Sequence, residues 1–90
     1  FRSGSGMRVK IIEGMALGKT VIATNIALEG IDVEHNKNVI VANSEDEFIN
    51  AINWCVNNKD KAMLIGENAL QLIKEKYDNE LIIKDLIKLF

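Results

Sequence analysis

Gly4-Ser5-Gly6-Met7-Arg8-Val9-Lys10-Ile11-Ile12-Glu13-Gly14-Met15-Ala16-Leu17-Gly18-Lys19-Thr20-Val21-Ile22-Ala23-Thr24 is the stretch on which the fold turns. Gly4 and Gly6 tolerate backbone angles closed to other residues and allow close approach to the main chain, so 4–6 read as a glycine-rich loop. A helix is expected over residues 7–17, with Gly18 as the residue that ends it. Residues 20–24 then form a short strand, whose Val-Ile-Ala centre suits burial on both faces, as in a parallel sheet. A helix starting beside such a loop aims unpaired N–H groups and the positive end of its dipole at whatever lies over the loop, and an anion is the natural occupant. Glu13 lies two turns on, among Ile11, Ile12 and Met15, where a carboxylate needs donors that sugar hydroxyls supply. Taken singly, these features are also compatible with an ordinary turn and with a solvated helix acid paired to Lys10 or Arg8.

Working outward, residues 25–37 read as a loop of mixed character whose acids and single His35 face solvent, without the ligand spacing of a metal site. Residues 39–41 make a second strand. Ser44 with Glu47 forms a capping box that opens a helix over residues 45–56. Phe48, Ile49, Ala51, Ile52, Cys55 and Val56 recur there at helical spacing and predict a face packed on the sheet, with Trp54 at its edge. Asn57 and Asn58 interrupt the pattern. A further helix follows over residues 59–77, with Met63, Leu64, Ala69, Leu70, Leu72 and Ile73 as its apolar contacts and Gly66 as a weak point in its propensity. A last helix over residues 79–89 carries a wide apolar face that requires a partner surface.

The composition bounds the function. Ninety residues, 48% hydrophobic, make at most one small domain with a modest core. With 11 basic and 13 acidic residues, a net charge of −2 and no basic stripe, nucleic acid is not an expected partner. No apolar run approaches the roughly 20 residues of a membrane span, and no signal-peptide pattern opens the chain. The expected location is cytoplasmic, with peripheral attachment at the inner membrane surface compatible with it. The single Cys55 reads as a core thiol.

The stretch from Gly4 to Thr24 resembles the C-terminal domain of group 1 (family 4) retaining glycosyltransferases, enzymes of the GT-B architecture with two facing Rossmann-like domains. Ala27-Leu28-Glu29-Gly30-Ile31 is similar to the family's small-x-E-G-hydrophobic loop, and residues 38–42 to the strand after it. Ile65-Gly66-Glu67-Asn68-Ala69, together with Tyr77 and the closing helix, resembles the family's G-x-N-A helix and terminal helix. The resemblance covers nearly the whole chain and is most specific at its start.

The resemblance implies an α/β fold: the C-terminal part of a nucleotide-sugar-binding Rossmann-like domain, with short parallel strands and about four helices. It implies transfer of a sugar, with retention, from a nucleotide-diphosphate sugar to an acceptor glycan, lipid or small molecule. That family frames its donor with two Glu separated by seven residues. Glu13 takes the place of the second, which binds the ribose of the donor nucleotide, whereas the first falls at Ser5, so the chain departs from the pair there. Gly4, Ser5, Gly6, Met7 and Arg8 then form the loop toward the donor diphosphate and sugar. No catalytic side chain, cofactor or metal is implied within these residues, and the family's basic diphosphate-binding residues have no counterpart here. Lys10 and Arg8 are expected on the solvent side of the helix.

Two strands cannot by themselves make a sheet covered on both faces. The chain is therefore expected to be the tail of a longer domain, inactive alone, that covers its orphan sheet edge with another copy. A nucleotide-sugar epimerase of the same build, and a non-catalytic nucleotide-binding or interaction module, remain as alternative functions.

Overall fold

The computed structural model describes the backbone of residues 4–76 and the side chains of residues 9–76. Three helices and two strands follow in the order α1 (Gly4–Ala16), β1 (Ile22–Ala23), β2 (Ile40–Val41), α2 (Glu45–Asn57) and α3 (Lys59–Lys76). The strands are parallel, with Ile22 opposite Ile40 and Ala23 opposite Val41. The expected helix over residues 79–89 lies outside the described residues, as does Tyr77. The strands are shorter than the apolar runs suggest, since ladder pairing reaches only as far as both chains stay extended side by side.

The first correction concerns residues 4–6, which are the first turn of α1 and not a loop ahead of it. A helix leaves its first four N–H groups without intrahelical partners, so glycines there lose no backbone bonds by being helical. At the other end Gly18 adopts φ +73°, its N–H donates to the Met15 carbonyl at 3.0 Å, and the Lys19 N–H donates to the Gly14 carbonyl at 3.0 Å. That bond pair is a Schellman motif, which stops the helix and reverses the chain into β1 within a few residues. The reversal makes α1 antiparallel to β1, so the helix N-terminus lies toward the end of the sheet where both strands finish.

Against the expectation that two strands could not be covered on both faces, the sheet is covered on both, because its residues alternate. Val21, Ala23, Val39 and Val41 join a core with Ile11 and Met15 of α1 and Ala69 and Ile73 of α3. Ile22 and Ile40 face the other way, against Ala51, Trp54 and Cys55 of α2 and Ile65 of α3. Period-two alternation with apolar residues on both sides is what a buried parallel strand needs. Burial pushes the Cys55 thiol pKa up, in keeping with a core thiol.

Two further expectations change. Residues 25–37 are not merely a surface loop, because Leu28 and Ile31 are buried and Ala27 and Val33 pack on the same core. The apolar pattern of α2 is also wider than the face it buries: Ala51 is buried, whereas Ile49, Ile52 and Val56 are at least half exposed. Met63 and Leu64 of α3 likewise point outward.

α3 locks the two connections. A Cβ placed on Gly66 would lie 2.3 Å from the Gly18 carbonyl oxygen, so only glycine lets the helix sit against the Schellman turn. Thr20 Oγ1 donates to the Ala62 carbonyl, and Asn68 Nδ2 donates to the Lys37 carbonyl at 2.8 Å. Asn36, beside that carbonyl, takes φ +66°.

Candidate functional site

α1 is 13 residues long, about 20 Å, and its first turn contains no acid. α2 differs: Glu45, Asp46 and Glu47 occupy its first turn, and the Ser44 side chain accepts from the Glu47 N–H at 3.1 Å. The capping box is half realised, since the Glu47 carboxylate accepts from the Asn43 N–H at 2.7 Å instead of returning to Ser44. α2 therefore neutralises the positive end of its own dipole, whereas the first turn of α1 brings no negative charge of its own.

Glu13 lies in α1 one turn before the Schellman motif and is half-buried. Its neighbours Ile11 and Met15 are buried and Ile12 and Ala16 pack on the same core, so the carboxylate is held at the margin of the apolar face. Its carboxylate has no hydrogen-bond or ion-pair partner among the described residues. Ser5 and Glu13 are eight positions apart with seven residues between them, which places their backbones about 12 Å apart along the axis and about 80° apart around it. Of the residues expected to meet the donor, Gly4, Ser5, Gly6, Met7 and Arg8 form the first helical turn and the start of the second. Lys10 is exposed.

The loops after the two strands meet at the same end of the sheet. The Asn25 N–H donates to Asn43 Oδ1 at 2.9 Å, and the Ala27 N–H donates to Thr24 Oγ1 at 3.1 Å. The crevice outside the carboxyl ends of parallel strands is where open α/β sheets take ligands. Asparagines 18 residues apart carry no local signal of such a bridge, which only the finished sheet creates.

On the far side of β2 the sheet edge is closed. The Asn36 N–H donates to the Val39 carbonyl at 2.7 Å, and the Val41 N–H donates to His35 Nδ1 at 2.9 Å. His35 is exposed as expected, yet its imidazole serves as the missing neighbour of an edge strand. Between this edge and α2 lies a cleft of about 440 Å³ lined by His35, Asn36, Ile40, Val41, Glu47, Asn50, Ala51 and Trp54. No sequence motif pointed to it. No helix among the described residues is long and apolar enough to cross a membrane.

Over 86 residues the chain is 28% identical to a protein of Klebsiella pneumoniae described as an uncharacterized 44.6 kDa protein in the cps region. That match covers 96% of this chain but 22% of the relative, so the chain spans less than a quarter of the protein it matches. No solved structure matches it. Residues 1–58 match the family described as Glycosyl transferases group 1. With well over half of its length inside that match, the chain belongs to the group 1 glycosyl transferases.

Proposed function

We propose that the chain is the C-terminal part of the nucleotide-sugar-binding, Rossmann-like domain of a retaining GT-B enzyme, which moves a sugar from a nucleotide-diphosphate donor to an acceptor. The observation that carries the reading is α1 itself: a first turn with two glycines and no acid, and two turns further on a half-buried Glu13 without a partner among the described residues. Amides at a helix start hold an anion without a cation, and they hold it better as charge develops on a departing diphosphate. Glu13, accepting from two vicinal hydroxyls, fixes the ribose and with it the position of the diphosphate over the helix start. Ser5 offers a hydroxyl where the family's first acid would reach the sugar. The cps-region setting of the relative supports a polysaccharide-building context.

The test is nucleoside-diphosphate binding by calorimetry in the intact protein that contains this chain. Loss of a charged hydrogen-bond acceptor is worth about 1.5–3 kcal/mol, so Glu13→Ala is expected to weaken binding about 10- to 100-fold. Glu13→Gln keeps one acceptor and falls between. Equal affinity in wild type and Glu13→Ala would remove the ribose role.

A further inference from the structure

The cleft between the β2 edge and α2 has a chemistry of its own. Glu47, Asn50, Ala51 and Trp54 fall at i, i+3, i+4 and i+7 and so share one face of α2. Ile40 and Ala51 make an apolar floor, the backbone of Val41 borders it at the sheet edge, and the half-buried indole of Trp54 forms a wall. The polar rim is pre-oriented. With Nδ1 accepting from the Val41 N–H, neutral His35 carries its proton on Nε2, and that donor has no partner among the described residues. The same holds for the Trp54 indole N–H, the Asn50 side-chain amide and the second carboxylate oxygen of Glu47, whose first is taken by the Asn43 N–H.

We infer that this cleft binds a neutral pyranose unit of a glycan, at a site separate from the one proposed for the donor nucleotide on α1. Three properties favour that occupant. Donors and acceptors are mixed around an aromatic wall, which suits a ring with hydroxyls on its rim and C–H groups on its face. Among the described residues neither lysine nor arginine lines the cleft, and Glu47 does, which disfavours a phosphate or a nucleotide. The volume, about 440 Å³, suits about one or two sugar residues and lies within the usual range of small-ligand pockets. A glycosyl transferase with such a site would hold a growing chain away from the reacting end.

Saturation-transfer NMR on the intact protein tests this, with the methyl α-pyranosides of glucose, galactose, mannose and rhamnose as probes. Transfer to the ring C–H protons of at least one glycoside is expected, undiminished by saturating uridine or guanosine diphosphate. Trp54→Ala should lower that affinity about tenfold, and Trp54→Phe should recover most of the loss because a ring remains. Asn50 is exposed on α2, so Asn50→Ala leaves the fold intact and should weaken binding about threefold. The inference is overturned if no glycoside shows transfer, if a nucleoside diphosphate displaces it, or if Trp54→Ala and Asn50→Ala both bind as wild type.

Discussion

Replacing Gly66 by alanine sets two well-characterised effects against each other. In the middle of α3 the change gains helix propensity, about 1 kcal/mol. The added methyl would, however, lie 2.3 Å from the Gly18 carbonyl oxygen and 3.0 Å from the carbonyl carbons of Gly18 and Lys19. Those atoms belong to a Schellman turn fixed by two 3.0 Å hydrogen bonds, so no side chain can rotate aside and α3 or the turn must move by about 1 Å. Overpacking of this kind costs about 1–3 kcal/mol, and contact with backbone places it at the upper end. A net destabilisation of about 1–2 kcal/mol follows, equivalent to a fall in Tm of about 5–15 °C for a domain of this size. Thermal unfolding followed by circular dichroism measures it. Glu67→Ala is the control, because Glu67 is exposed and its replacement alters propensity without the clash. A Gly66→Ala variant as stable as wild type would show that α3 does not depend on this approach.

Two smaller effects follow from the same structure. Ser44→Ala removes the side-chain acceptor of the Glu47 N–H at the start of α2, and a loss of about 1 kcal/mol is expected by urea denaturation, with Ser44→Asp restoring it. Asp32 is hydrogen-bonded and ion-paired to Lys76 at 2.9 Å, which holds its carboxyl below the usual carboxylate range. A depressed folded-state value means that the pair contributes above the unfolded pKa and is lost as pH falls through the folded one. Carboxyl NMR should therefore find Asp32 titrating below a free aspartate, with Lys76→Met or high salt returning it to the ordinary value.

The features legible in the sequence were those written in neighbouring residues. Gly18 ends α1 because a positive φ is needed two residues past Ala16, and Ser44 opens α2 because its hydroxyl reaches an amide three residues on. The parallel pairing of two apolar runs was legible for the same reason, both being apolar on each side. What depended on distant contacts was not. Gly66 read as a flaw in a helix, because its reason lies in a turn 48 residues earlier. The apolar positions of α2 spread over too wide an arc to say which would be covered; docking chose Ala51 and left Ile49, Ile52 and Val56 outside. Leu28 and Ile31 sat among polar residues, and the covering they provide arises only once α1 and α3 are in place. His35 carried no motif, and its use as an edge acceptor needed the chain to fold back beside β2.

α1 is anchored in a way that bears on the proposed site. Its C-terminal half is fixed by Ile11 and Met15 in the core, by the Schellman turn against Gly66, and by Thr20 bonded to the Ala62 carbonyl. Glu13 lies within that half, so its carboxylate stands on a well-anchored part of the helix, without a hydrogen-bond or ion-pair partner among the described residues. The first turn, about 12 Å away at Ser5, is carried by the same hydrogen-bonded rod. A ribose gripped at Glu13 would therefore set where a diphosphate meets the helix amides, and a shift of the turn against α3 would move both ends of the site together. Residue 66, which touches no proposed ligand, then acts on nucleotide affinity through the placement of the whole helix, whereas Glu13 acts on it through its own carboxylate.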